Sequence, residues 1–258
     1  MVDYGVVAED LHSFPDIPAP RSNTYVLNLK EMMCDEDRLK LCTNYTTMRS
    51  QFALRRWVPT LTEENVQREK ILRSVLPLAV TMLVETADNY ILMEERGKVE
   101  IPGKYHPAPA GGCETRYWQT YPDPFRCVKG EAWEEIGLLP DTDYQALSLI
   151  GLVRDQTEGF NPSLIYHTKT SLSLDKICQN AQSFAPEAGE HQRLFGVSVD
   201  SDQIPKFCVQ NKEKMIGNGL GILLAFGQYK FGSEWYSDTV KEMSQFGWTI
   251  KDFLNNFR

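Results

Sequence analysis

Two apolar segments rich in β-branched residues, Leu78–Glu85 and Tyr90–Glu95, follow one another with only four residues between them. The connecting tetrapeptide, Thr86-Ala87-Asp88-Asn89, is polar and suits a turn, whereas the two segments suit buried strands. The pattern therefore predicts a β-hairpin. This feature constrains the fold most, because a buried strand pair must belong to a sheet that other elements cover on its apolar faces.

The next regular element is predicted to be a helix. It follows a long loop rich in proline and glycine, residues 101–123. The helix begins at Asp123-Pro124, a capping residue before a proline in the first helical position, and ends at Gly137. An order of strands, helix, strands and helices predicts a mixed sheet covered on both faces, an α/β/α sandwich rather than a doubly wound array. The other predicted strands are Thr24–Leu29, Val99–Pro102, Leu147–Arg154, Ser163–Thr170 and Leu194–Val199, and the other predicted helices are Thr60–Leu76, Ile204–Gln210, Lys212–Tyr229 and Glu234–Phe257.

The charge balance argues against two kinds of partner. The 258 residues include 27 Lys and Arg against 35 Asp and Glu, a net charge of −8. Without a block of basic residues, such a chain is a poor candidate for binding nucleic acid or an anionic membrane. Its 6 cysteines include no Cys-x-x-Cys pair, which favours free thiols over a zinc site. With no signal peptide in the sequence, we expect a cytoplasmic protein that binds neither nucleic acid nor membrane.

Three glutamates of the predicted helix carry the chemistry. Glu131, Glu134 and Glu135 stand at positions i, i+3 and i+4, which places three carboxylates on one helical face. Like charges so close repel unless a cation neutralises them. Mg²⁺ prefers carboxylate oxygens and shares its remaining positions with water and substrate phosphates. The spacing therefore predicts that these glutamates are metal ligands and catalytic residues, the alternative being a solvated acidic face.

The helix also resembles part of a known motif. Residues 130–138, GEAWEEIGL, are similar to the second half of the Nudix box, Arg-Glu-apolar-x-Glu-Glu-x-Gly-apolar. Gly130 stands where the box has arginine, and the first half of the box is absent. The chain further resembles the atypical Nudix subgroup that cleaves UDP-glucose and UDP-galactose, which shares the long loop and also lacks the arginine. The resembling segments are residues 75–109, 151–159 and 185–199 and the glycine-bearing helix near Gly219.

This resemblance implies a Nudix-type α/β/α sandwich, Mg²⁺ (or Mn²⁺) as cofactor, and hydrolysis of UDP-glucose or UDP-galactose to UMP and sugar 1-phosphate. In the family the box arginine orders the glutamates. Here Arg126, one turn before Gly130 on the same face, is a candidate replacement; the alternative is a looser and slower site without one. The resemblance also divides the chain into an N-terminal elaboration packed on the core (1–75), a hydrolase domain (76–230) and a C-terminal helical extension (231–258).

Four further residues are candidates for the site. By the resemblance, a glutamate in the loop before the last predicted strand binds a further metal or takes a proton from water. Glu190 is therefore the fourth catalytic candidate, and the neighbouring Glu187 is a candidate for substrate binding. Arg154 ends a predicted strand, where its guanidinium suits a diphosphate; a surface pair with Asp155 is the alternative. His106 follows the Pro-Gly turn and is a further candidate for a substrate contact.

The sequence leaves two alternatives open. Within the enzyme class, the substrate is ADP-ribose or a dinucleoside polyphosphate instead of a UDP-sugar. Outside it, the chain is a non-catalytic Nudix-like module that binds a nucleotide or a protein. The incomplete box favours the module. The three retained glutamates oppose it, because a binding module has no need of a cluster of repelling charges.

Overall fold

The structure is a computed structural model that describes residues 25–35, 38–47, 76–97, 101–117, 123–144, 146–154 and 161–245. All but the last residue of the predicted helix Thr60–Leu76 lies outside these ranges. Among the described helices, none offers the apolar stretch that crossing a bilayer requires. The described strands are β1 (Tyr25–Asp35), β2 (Arg38–Thr47), β3 (Ala79–Glu85), β4 (Tyr90–Arg96), β5 (Tyr105–Pro107), β6 (Ala110–Gly112), β7 (Ser148–Arg154), β8 (Pro162–Lys169) and β9 (His191–Ser198), and the described α-helices are α1 (Pro124–Ile136), α2 (Leu174–Phe184), α3 (Gln203–Gln210), α4 (Gly217–Phe231) and α5 (Ser233–Gln245).

The central sheet is mixed, as predicted. Its strand order is β5-β4-β3-β8-β7, with β6 beside β3 and β9 beside β4. The β3–β8 pair is parallel, and the other pairs are antiparallel. The predicted hairpin is present, but β3 and β4 pair only next to the turn, at Glu85 and Ile91. Beyond that point the two strands diverge, and β6 takes the place beside β3 that β4 has left.

Helices cover both faces of this sheet. Val80, Met82 and Val84 of β3 pack in one buried cluster with α1 and α2. Leu83, which points the other way because side chains alternate along a strand, packs in a second cluster with α3, α4 and α5. The protein is therefore an α/β/α sandwich with a mixed sheet, in agreement with the prediction from element order.

Several elements differ from their predictions. The segment 101–123, expected to be a loop, contains β5, β6 and a 3-10 helix, Thr115–Tyr117. Strands of three residues carry no detectable alternation, so only their tertiary partners define them. The helix predicted over Lys212–Tyr229 begins at Gly217, after a separate 3-10 turn. Strand β2 and helix α2 were not predicted; α2 buries Ile177 and Ala181.

The hairpin formed by β1 and β2 is joined to the core through backbone hydrogen bonds. Leu27 donates to Cys113 O at 3.0 Å and accepts from Leu78 N at 2.7 Å, and Leu29 donates to Leu76 O at 2.8 Å. Cys113 directly follows β6, so this hairpin lies next to the segment that carries the 3-10 helix. The division into three domains stays a prediction.

Candidate active site

Helix α1 has the ends that the sequence predicts. The Asp123 carboxylate accepts hydrogen bonds from Phe125 N at 3.0 Å and Arg126 N at 3.2 Å. At the other end, Gly137 adopts a left-handed conformation (φ 66°) and donates to Trp133 O at 3.0 Å. Glycine adopts this conformation without steric cost. These two caps define the ends of the helix that carries the three glutamates.

The face of α1 that carries the glutamates is turned toward the sheet. Glu131 is 4% exposed and Glu135 is 3% exposed, so the solvated acidic face considered above does not describe them. The Glu131 carboxylate lies directly against the backbone of Gly111 in β6: a Cβ atom at position 111 would be 2.2 Å from Glu131 Cδ. Only glycine leaves room for the carboxylate at this point.

Burial changes the protonation of both carboxylates. It raises the pKa of Glu131 to about 8, an effect that the charge of Arg116 opposes and that of Glu114 reinforces. For Glu135, burial together with the negative charges of Glu131, Glu94 and Glu190 raises the pKa well above its ordinary value. Burial therefore favours the protonated form of both groups, whereas a bound cation would favour their charged form.

Three carboxylates converge at one end of this face. Glu131, Glu134 and Glu187 each offer an oxygen atom, and these three atoms lie within 4.8 Å of one another. The loop residue Glu187 is fixed to the helix because its backbone N–H donates to Glu134 O at 2.7 Å. An all-oxygen set of this kind fits Mg²⁺ or Mn²⁺. Glu187, predicted as a substrate contact, thus stands among potential metal ligands, whereas Glu135 Oε2 accepts a hydrogen bond from Ala110 N at 3.2 Å.

A histidine that the sequence did not single out for the site links β4 to α1. His191 Nδ1 lies 2.6 Å from Glu94 Oε2, and its Nε2 lies 3.2 Å from the backbone oxygen and 3.9 Å from Oε2 of Glu135. The ring thus connects a side chain of β4 to the backbone of α1. Because Glu94 and His191 are 97 positions apart and share no motif, only the pairing of β4 with β9 brings them together.

The loop before β9 also places Glu190 near the helix. Its negative charge is one of the causes that raise the pKa of Glu135. Its backbone oxygen accepts a hydrogen bond from Gly97 N at 2.7 Å, just after β4. The two glutamates of this loop, Glu187 and Glu190, are thus held at the carboxylate face of α1. Their chemical roles remain predictions.

The predicted diphosphate clamp lies farther away. Arg154 ends β7, opposite Pro162 of β8. In the strand order, β7 is three strand spacings from β6, or roughly 14 Å, and β6 carries Gly111 against Glu131. A diphosphate at the glutamates therefore approaches Arg154 only if the substrate extends along this end of the sheet, and the clamp stays a prediction.

His106 is more deeply buried than a surface loop residue would be. It lies in β5 opposite Glu94 and is 4% exposed. Burial and the positive charge of Arg96 lower its pKa to about 4, so the ring is neutral. Neither ring nitrogen has a hydrogen-bond partner among the described residues. A substrate contact at His106 stays a prediction, and it requires a group that reaches below the surface.

Arg126, the candidate replacement for the box arginine, pairs with Asp123 at the start of α1. Arg126 Nε lies 3.4 Å from Asp123 Oδ2, and the side chain is largely exposed at the start of α1. Of the two alternatives, the one in which Arg126 orders the glutamates is therefore wrong. Instead, Arg116 Nη2 lies 3.0 Å from Glu134 Oε2, and the Tyr117 hydroxyl contacts both Glu131 and Glu134. Neither residue was singled out from the sequence, because their segment was assigned to a loop.

No protein-family model and no curated protein matches this sequence. The structure is similar to solved Nudix structures. The NUDIX domain of Shewanella oneidensis NrtR, complexed with ADP-ribose, is 11% identical over 60% of this chain and 88% of its own, with a TM-score of 0.42. A mutT/nudix family protein from Listeria innocua is 13% identical over 66% of this chain and 97% of its own, with a TM-score of 0.40. A bifunctional NMN adenylyltransferase/ADP-ribose pyrophosphatase from Francisella tularensis is 14% identical over 69% of this chain and 46% of its own, with a TM-score of 0.40. The function of this chain is therefore inferred from its own residues.

Proposed function

We propose that this chain is a divalent-metal-dependent hydrolase that cleaves the phosphoanhydride of a UDP-sugar, UDP-glucose or UDP-galactose, to give UMP and a sugar 1-phosphate. The observation that carries the reaction class is the convergence of Glu131, Glu134 and Glu187, whose oxygens lie within 4.8 Å of one another. The choice of substrate rests on the sequence segments that resemble the UDP-sugar subgroup. Mg²⁺ is the proposed cofactor, and Mn²⁺ is its natural substitute.

The donor set fits a hard cation, because every candidate ligand is a carboxylate oxygen. A divalent ion in this position would neutralise the charge of a diphosphate and acidify the attacking water. Glu131 and Glu134 would hold it from the helix, and Glu187 would hold it from the loop. Glu135 shares the buried face, where its hydrogen bond to Ala110 N keeps its carboxylate close to β6.

The loop glutamate Glu190 is the proposed proton acceptor for the attacking water. It lies close enough to Glu135 to perturb its pKa, so it belongs to the same electrostatic cluster. A carboxylate within one water of the nucleophile is a suitable general base. Arg154 and His106 are the proposed contacts for the more distant parts of the substrate.

Burial of the cluster favours an enzyme over a binding module. Keeping two carboxylates such as Glu131 and Glu135 below the surface is unfavourable for their charged forms, which the raised pKa values show. Clusters of strongly perturbed titratable groups are typical of functional sites. Exposed arginine or lysine side chains would bind a phosphate without this cost.

We expect the purified protein with Mg²⁺ to release UMP and sugar 1-phosphate from UDP-glucose, and to do so faster than it hydrolyses ADP-ribose or a dinucleoside polyphosphate. Because water adds at one phosphorus atom, ¹⁸O from labelled water should enter only one of the two products. Chromatography and mass spectrometry of a nucleotide panel measure both outcomes. Glu134→Gln is the matched control, since it removes a ligand charge with little change in shape.

Three results would contradict different parts of this proposal. Free UDP as a product would show cleavage at the glycosidic bond and would end the phosphoanhydride assignment. Faster turnover of ADP-ribose would correct the substrate and leave the reaction class. No hydrolysis of any nucleotide in the panel, with Mg²⁺ or Mn²⁺, would favour the non-catalytic module.

A further inference from the structure

The space beside Gly130, the glycine that stands where the box has arginine, is occupied by the side chain of another residue. The Tyr117 ring lies over Gly130: a Cβ atom at position 130 would be 2.2 Å from Tyr117 Cε1 and 2.5 Å from Cδ1. Even alanine would collide with the ring. The ring of Tyr117, from the preceding 3-10 helix, therefore packs against α1 at Gly130. The glycine at this position has a packing role of its own, besides the absence of the arginine side chain.

The same tyrosine reaches the site with its hydroxyl group. Tyr117 Oη lies 2.8 Å from Glu134 Oε2 and 3.1 Å from Glu131 Oε1, so it bridges the two carboxylates. The partners on both sides are carboxylate oxygens, which accept, so the phenol O–H is the donor. It therefore acts as a neutral hydrogen-bond donor that holds the two side chains close to each other.

The preceding residue supplies a positive charge at the same place. Arg116 Nη2 lies 3.0 Å from Glu134 Oε2, Nε lies 2.7 Å from Glu114 Oε2, and Nη1 lies 3.8 Å from Glu187 Oε1. Its guanidinium carbon lies 4.7 Å from the centre of the Tyr117 ring. The arginine thus connects the helix glutamate to the loop glutamate.

We propose that Arg116 and Tyr117 are a positioning pair that arranges Glu131, Glu134 and Glu187 in this chain, in the place that the resemblance gives to an arginine at position 130. The pair comes from the 3-10 helix before α1, and Gly130 provides the space that it needs. This inference rests on the proposed metal site and concerns how that site is held, whichever nucleotide is hydrolysed.

Removing only the hydroxyl tests the pair most cleanly. Tyr117→Phe keeps the ring on Gly130 and removes only the hydroxyl contacts, so we expect the thermal midpoint of the metal-free protein to fall by no more than about 4 °C. Because a hydrogen bond to charged groups is lost, kcat should fall at least about 10-fold while KM changes less than about 3-fold. The dissociation constant for Mn²⁺, from calorimetric titration, should rise by about 5-fold or more. Arg116→Gln should also lower kcat, because it removes the cation beside Glu134 and Glu187. Arg126→Gln is its matched control, because Arg126 pairs with Asp123 at the start of α1.

Coupling between positions 117 and 130 provides an independent measurement. Gly130→Ala should lower the thermal midpoint by about 3 °C or more, because the new Cβ meets the ring, although alanine is the better helix former. In a Tyr117→Ala background the same substitution should raise the midpoint. In that background Gly130→Arg should also raise kcat at least about 10-fold above that of Tyr117→Ala, because the guanidinium then replaces the pair.

Two outcomes would overturn the positioning role. The first is Tyr117→Phe with wild-type kcat and wild-type Mn²⁺ affinity. The second is Gly130→Arg, made alone, with full stability and full activity. If the wild-type protein hydrolyses no nucleotide, the proposed function fails. The Mn²⁺ titration and the thermal midpoints then still decide whether the pair holds the glutamates.

Discussion

Replacing Glu131 with glutamine is expected to lower kcat by at least about 100-fold, the scale of a lost metal ligand. Glu131 is one of the three carboxylates that converge within 4.8 Å, and its side chain is buried against Gly111. Glutamine has nearly the same shape, so it keeps the packing and removes the charge that would bind the cation. Steady-state kinetics with UDP-glucose and Mg²⁺ measure the effect.

The same substitution should change how stability depends on pH. The folded-state pKa of Glu131, about 8, lies above the ordinary value of 4.5, so ionisation favours the unfolded chain. This contribution to stability is fully present below pH 4.5, falls as the pH rises, and is lost above about 8. Without metal, Glu131→Gln should therefore melt close to wild type at pH 5 and above it at pH 9.

Glu213→Gln, at an exposed position outside the site, is the matched control and should leave both kcat and the pH profile unchanged. Wild-type activity in Glu131→Gln would exclude this residue from the metal site. A variant that melts below wild type at pH 9 would show that the buried charge is compensated in the folded protein.

Gly111→Ala is expected to impair activity with little effect on stability. Unlike Glu131→Gln, it changes no titratable group. The new methyl group would occupy the position of the Glu131 carboxylate, 2.2 Å from Cδ. A carboxylate is the end of a flexible side chain, so it can move aside, but the ligand is then displaced. We expect kcat to fall by about 100-fold or more. The thermal midpoint should change by less than about 3 °C.

A second strand glycine provides the control for this variant. A Cβ at Gly151 in β7 would lie 3.7 Å from its nearest neighbour, Ile165 Cδ1, which is an ordinary contact. Gly151→Ala should therefore keep its activity. Full activity in Gly111→Ala, measured alongside it, would contradict the placement of the Glu131 carboxylate against β6.

The sequence predicts the elements whose signals are local. The hairpin turn, the Asp123 cap and the Gly137 end of α1 depend on neighbouring residues, and the structure has all three. The spacing of Glu131, Glu134 and Glu135 likewise places them on one turn of a helix. Their common face was predictable for this reason. The burial of Glu131 and Glu135 was not, because it depends on how the helix packs on the sheet.

The rest of the site depends on contacts between distant segments. Glu187 reaches the helix through a backbone hydrogen bond to Glu134, and His191 reaches Glu94 through the β4–β9 pairing. Arg116 and Tyr117 belong to a segment with no periodic pattern, so no local rule singles them out. Gly130 was interpreted as a missing arginine, and only the structure shows the ring that requires a glycine there.

Calorimetric titration of the metal-free protein with Mn²⁺ at pH 7, in buffers of different ionisation enthalpy, tests the metal site most directly. Burial raises the pKa of Glu131 to about 8, so we predict saturable binding with release of about one proton per ion. In Glu131→Gln the dissociation constant should rise by at least about 10-fold, and proton release should fall. Absence of binding, or equally tight binding with equal proton release in the variant, would contradict the account.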